Sequence, residues 1–147
     1  LPSWESGTPV APVNTVMFTL QKQPTPVTCT QTCLAMALRV PVSEVIARFG
    51  DQGMSHQQFL AALEACRFTY NQFMLGSLIV TGWYFLTVPS FNVRGGHHKL
   101  LVHYDADMGC SGFTVLDPST RATYQPDGSD LVSWSSPVLF IPGGTLP

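Results

Sequence analysis

The apolar residues of this chain change period half-way along, and that change limits the fold more than any other feature. Up to about residue 66 they recur at helical spacing. From residue 83 onward they fall into short strand-like runs separated by Gly, Pro, Asn and Ser. Helices first and strands second predict an α+β arrangement. Cys33, Leu34, Ala37 and Leu38 share one face of a first helix, with Thr28 as its N-cap and Pro41 as its stop. Ser43 and Glu44 open a short second helix with Val45, Ile46 and Phe49 inward and Gly50 as C-cap. Ser55 and Gln58 stand at capping-box spacing ahead of Phe59, Leu60 and Leu63, so a third helix runs to about Cys66. The strand-like runs are 83–88, 99–104, 113–116 and 138–141. Residues 1–13, with three prolines and a glycine, read as an irregular arm docked by Trp4. Residues 14–20 read as a short strand with Val16 and Phe18 on one face. The expectation is one domain over residues 1–147, its N-terminal helices packed on a C-terminal antiparallel sheet.

Composition narrows the function classes. Of 147 residues 45% are hydrophobic and only 11% charged, which suits a packed globular chain and argues against disorder. A net charge of −2 without any basic run argues against binding nucleic acid through its phosphates. The longest apolar run is strand-sized, so no membrane span is expected. The chain opens on Leu without a charged-then-apolar leader pattern, which reads as a partial or processed chain. Four cysteines (29, 33, 66 and 110) are too few and too scattered for a disulfide framework. They suit a reducing compartment, the cytoplasm first, with a secreted or injected effector as the alternative. Cys33 and Cys66 read as core residues and Cys110 as a turn residue.

Cys29 is different. Pro24 and Pro26 make the segment before it turn-prone, and Thr28 places it in the first turn of a helix. There the helix dipole and unpaired backbone N–H groups favour thiolate. Gln23, six residues upstream, carries an amide able to reach the space beside the thiol. A nucleophile at a helix start with an amide donor nearby is the layout of acyl-transfer chemistry. Two further stretches carry residues of catalytic type. One is Gly95-Gly96-His97-His98 opening a strand, and the other is Asp117-Pro118 closing the next. If the two strands form an antiparallel hairpin through the 106–112 turn, the start of one and the end of the next share a sheet edge. A histidine at 97 or 98 is then held by Asp117 and faces Cys29, the generalised nucleophile, base and orienter. His103 reads as facing solvent or a neighbouring strand, and His56 as a first-turn helix residue. Cys29-x3-Cys33 with scattered histidines lacks the paired spacing of structural zinc, so no metal and no cofactor are expected.

These stretches resemble the papain-like cysteine peptidases, within them the bacterial branch that includes the double-glycine leader peptidases of bacteriocin exporters. The resemblance rests on Gln23-x5-Cys29 opening a helix that continues Cys-Leu-Ala-Met-Ala-Leu, and on Gly96-His97-His98-Lys99-Leu-Leu-Val-His-Tyr-Asp105. It rests also on Val115-Leu116-Asp117-Pro118 and on Asp130-Leu-Val-Ser-Trp134 before the last strand. It covers roughly residues 20 to 141. It implies a papain-like fold and a thiol protease that hydrolyses peptide bonds in a protein or peptide substrate. It implies Cys29 as nucleophile, His97 rather than His98 as general base and acid, Asp117 as its orienter and Gln23 as oxyanion donor. The family commonly has Gly after the nucleophile and Asp before it, where this chain has Thr30 and Thr28. Thr30 is therefore expected to narrow the cleft. Gly95-Gly96 and Gly143-Gly144 read as turns rather than as double-glycine cleavage sites. Transglutaminase or deamidase chemistry on the same triad is the alternative activity. A peptide-binding module that keeps the fold without catalysis is the alternative of another class.

Overall fold

The first helix is the hub of the molecule. In the computed structural model, which describes residues 18–73, 80–90, 96–119 and 135–147, α1 (Cys29–Leu38) is buried from Thr30 through Leu38. The sequence pattern assigns it one apolar face. Its small side chains instead let neighbours close in on every side, the position of a core helix. It ends on Arg39, whose φ of 60° is left-handed. The Arg39 and Val40 N–H groups return to the carbonyls of Met36 and Ala35 at 3.2 and 3.1 Å, a Schellman turn. Pro41, expected to stop this helix, instead caps the start of α2 (Val42–Phe49). There Val45 is buried, Ile46 and Phe49 are half-buried, and Gly50 closes the helix at φ 91°. The Gln21 side chain joins the two helices, its amide N–H donating to Val40 O at 2.7 Å and its Oε1 accepting from Val42 N–H at 2.9 Å. The capping box of Ser55 and Gln58 opens α3 (His56–Ala65) as expected.

Five strands follow: β1 (Thr69–Gln72), β2 (Gly82–Pro89), β3 (His97–Tyr104), β4 (Phe113–Leu116) and β5 (Ser135–Ile141). They form one sheet in the order β1-β5-β2-β3-β4, every pair antiparallel. The molecule is thus an α+β mix, three helices and a five-stranded antiparallel sheet among the described residues. β1 is absent from the sequence reading because Thr69-Tyr-Asn-Gln72 has no apolar alternation; it is an edge strand, mostly exposed. Residues 18–20 are not a strand. The remainder of that expected strand, Trp4 with its arm, and the 130–134 segment lie outside the described residues.

Side chains on both sheet faces are buried. Trp83, Phe85, Leu101 and Phe140 join the helices' Leu34, Phe59 and Leu63 in one cluster. Tyr84, Leu86, Val88, Leu100 and Val102 form a second cluster on the opposite face. Burial on both faces explains why β2 and β3 read as unbroken apolar runs rather than alternating ones. In the first cluster Phe85 stacks on Phe140 at 4.4 Å and takes Phe59 edge-on at 5.0 Å. Each such ring contributes about 1.5–3 kcal/mol by burial. Between Phe85 and Thr87 the β2–β5 register slips by one residue, and Ser136 at the slip has a left-handed φ of 48°. This bulge bends β5 at the rim of the cleft described below.

Candidate active site

The turn ahead of α1 is built from threonines and prolines. Thr28 N–H and Oγ1 both donate to Thr25 O, at 3.4 and 3.1 Å. Thr28 is the residue before the helix, as its sequence position predicts, yet its hydroxyl makes no cap bond to the helix. The first-turn N–H groups of α1, including that of Cys29, therefore receive no side-chain cap from it. Upstream, Gln23 N–H donates to Pro118 O at 2.7 Å. That bond ties the turn to the residue after Asp117. The Gln23 side chain donates to Thr25 O at 2.8 Å, and its Oε1 is buried without a partner among the described residues.

Across from the turn, β3 and β4 pair with Val102 opposite Val115 and Leu101 opposite Leu116. Paired residues share a face, so the even positions of β3 share a face with residues 113, 115 and 117. This parity selects His98. Its Nε2 lies 2.7 Å from Asp117 Oδ1. His97, which the family resemblance favours for that contact, is exposed on the other face and makes no such pair. The physical reason is the one-residue alternation of a strand: a slip of one position exchanges the two sheet faces. Asp117 Oδ1 is further held by Ser119, whose N–H and Oγ donate at 2.9 and 2.8 Å.

Cys29 meets the same imidazole. Its thiol lies near the His98 ring, the Lys99 backbone and the Thr30 hydroxyl, and all three lower its pKa. With Nε2 taken by the carboxylate, the ring nitrogen left for sulfur is Nδ1. The charges reinforce one another. Burial raises the Cys29 pKa, but the bonds from His98, Lys99 and Thr30 and the His98 charge outweigh it and hold the thiol below its usual value. Burial depresses His98, yet its bonds to Asp117 and Cys29 and their charges lift it to about 9. Asp117, despite burial, is lowered by His98 and Ser119. The lowered thiol and the raised imidazole shift the pair toward thiolate and imidazolium.

One turn further along α1, the Cys33 thiol donates to Lys99 O at 3.4 Å. That bond seats α1 on the start of β3. Cys33 is fully buried and its pKa is pushed well up by burial. Cys66 is buried, and Cys29, Cys33 and Cys66 are all free thiols. His103 is buried and packs edge-on against its cross-strand partner Trp83 at 5.0 Å. His56 is the first residue of α3, bonded to Gln72 Oε1 at 3.0 Å. Among the described residues no three His, Cys, Asp or Glu side chains are placed to hold a metal ion, and no helix is long and apolar enough to cross a membrane.

An open cleft of about 490 Å³ runs past Cys29 and His98, between the starts of α1 and α3 and the ends of β2, β3 and β5. Thr30 lines it, as expected of the residue that stands where the resembled family has glycine. Lys99 also lines it, and the sequence reading assigns Lys99 no role. Its Nζ donates to Thr87 Oγ1 at 2.8 Å and lies 4.1 Å from the centre of the Phe59 ring. Burial lowers this ammonium to about 8, partly offset by the nearby Cys33 and Cys29 thiols. The sequence signal is slight: a lysine between His98 and the apolar run of Leu100, Leu101 and Val102.

No protein-family model matches the chain, and no curated protein sequence matches it.

Proposed function

We propose that the chain is a cysteine peptidase of papain-like type, with Cys29 as nucleophile, His98 as general base and acid, and Asp117 as the group that orients the imidazole. The observation that carries the reading is the His98 ring, bonded through Nε2 to the Asp117 carboxylate and lining the same cleft as Cys29. A half-buried ring held in this way has a fixed orientation and a stabilised positive charge, which thiol activation requires.

The Cys29 thiolate attacks a substrate carbonyl at the cleft wall, and the resulting oxyanion lies at the start of α1. The Cys29 backbone N–H and the helix dipole stabilise it there. Gln23 is the second donor; to act, its amide must leave the Thr25 carbonyl. His98 then gives its proton to the leaving amine, and a thioester remains on Cys29. Water attacks the thioester, losing a proton to His98, and the acid product leaves with Cys29 regenerated.

The experiment is incubation of the protein, Cys29→Ala and His98→Ala with a mixed peptide library, read by mass spectrometry for new termini. New termini from the wild-type chain alone support the reading. Release of ammonia from glutamine peptides without new termini assigns deamidation to the same triad. If all three proteins give neither product and Cys29 alkylates no faster than an unfolded thiol, the peptidase reading fails.

A further inference from the structure

We propose that the cleft selects an anionic substrate, one that places a carboxylate beside the bond attacked by Cys29 and pairs it with the Lys99 ammonium. The inference rests on the peptidase reading and supplies its substrate class.

Lys99 follows His98 directly, so strand alternation sends the two side chains to opposite faces. Thr87 is the cross-strand partner of Lys99, and both residues line the cleft. The ammonium has three donors. Thr87 Oγ1 accepts one, and the Phe59 ring takes a cation–π contact. Lys99 is only 6% exposed. Among the described residues its charge has no carboxylate partner, since the ion pair found there is His98 with Asp117. The nearby Cys33 and Cys29 thiols offset only part of its burial, so a desolvation penalty remains that no carboxylate relieves. A methionine in this place would fill the same space against Phe59 without that penalty. Packing therefore does not explain a lysine, whereas an incoming anion does.

No carboxylate of the described lining opposes an incoming anion. Among the described residues that line the cleft there is no Asp or Glu, and the His98 imidazolium lies beside Lys99. Two ten-residue helices begin at its wall, α1 at Cys29 and α3 at His56, and each presents the positive end of its dipole. A carboxylate entering here finds a partner for the buried ammonium. A neutral side chain would seal Lys99 from water and leave it unpaired, so the site discriminates by penalty as well as by attraction. An acidic side chain and a free chain terminus both supply this chemistry.

The test compares anionic and neutral alkylation of Cys29 in the full chain. Second-order rates with iodoacetate and with iodoacetamide are measured for the wild type, Lys99→Met and Lys99→Arg, after far-UV circular dichroism has verified the fold. The ratio of iodoacetate to iodoacetamide rates is the readout, because it cancels changes in thiol reactivity and isolates attraction of the carboxylate. The expected result is a fall of about tenfold in Lys99→Met, with Lys99→Arg close to the wild type. An unchanged ratio in Lys99→Met, with Cys29 still reactive, overturns the anionic-substrate inference and leaves the peptidase reading standing. A Cys29 inert to both reagents in the wild type overturns both. Protection of Cys29 by acetyl-glutamyl amide assigns the carboxylate to a side chain, and protection by acetyl-glutamine assigns it to a chain terminus. Equal protection by acetyl-glutaminyl amide, which has no carboxylate, counts against the inference.

Discussion

Asp117 acts on Cys29 without touching it, through the charge it stabilises on His98. The reactive form is thiolate with imidazolium, so the acid limb of a rate profile reports Cys29 and the alkaline limb reports His98. Cys29 is lowered from the usual thiol value and His98 is raised to about 9. Peptide cleavage is therefore expected to rise along an acid limb that lies below the usual thiol value, and to fall as pH rises through about 9. Asp117→Asn removes the carboxylate charge and weakens the strongest bond that raises His98 to one with a neutral acceptor. The alkaline limb should then move toward neutrality by about 1–2 units, measured as the pH dependence of peptide cleavage. An alkaline limb that stays in place would show that Asp117 does not hold the imidazolium. The two neighbouring histidines separate in the same assay. His98→Ala should reduce peptide cleavage by about 10²–10⁴-fold, the usual size of a lost general base, while His97→Ala changes it little. The reverse result would place the base on the exposed side of β3.

The β3–β4 hairpin, more than any single side chain, decides which histidine meets Asp117. Its closing turn is the 3-10 segment Ala106–Ser111, and Asp105 N–H donates to Gly112 O at 2.8 Å. A Cβ on Gly112 would stand 2.3 Å from Asp105 O, so any side chain there must displace the closing pair. Gly112→Ala is expected to destabilise the fold by about 1–3 kcal/mol and to slow Cys29 labelling, because a shifted register separates His98 from Asp117. Urea denaturation with parallel labelling checks both. At the start of α3 the reciprocal bonds of Ser55 and Gln58 predict a loss of about 1 kcal/mol for Ser55→Ala, seen as a lower urea midpoint. Elements with a local signal were the ones legible in the sequence. The capping box marked α3, Gly50 marked the end of α2, and the apolar runs marked β2 and β4. The hairpin also put Asp117 at the edge where a histidine begins the preceding strand. Its register was not legible, because both faces of β3 are apolar and no alternation distinguishes them. The residues alone therefore left His97 and His98 open, the family resemblance favoured His97, and the pairing of Val102 with Val115 fixed the parity on His98. Lys99 escaped for a related reason: only the packed sheet shows that it lies under Phe59 rather than in solvent.

At the scale of the whole molecule, the candidate site is a joint between layers. Cys29 belongs to the helical layer, which is seated on β3 by the bond from Cys33 to Lys99 O and brings Cys29 beside His98. Asp117 belongs to the far strand of the sheet and shares the face of Leu100 and Val102. Gln23 N–H closes the circuit by holding the leading segment to Pro118. Neither layer holds the triad geometry alone. A thiol whose reactivity depends on helix-to-sheet packing should lose that reactivity only when the packing is lost. In a urea series, rapid iodoacetamide labelling of Cys29 is therefore expected to disappear at the midpoint at which far-UV ellipticity and tryptophan fluorescence change, as one cooperative transition. Leu86→Ala, placed in the cluster on the sheet face away from the helices, should lower all three midpoints together by the equivalent of about 2–5 kcal/mol. Labelling lost well before the optical transitions would mean that the turn and start of α1 open as a local unit. The thiolate would then owe its stability to that turn alone, rather than to the seating of the helix on the sheet.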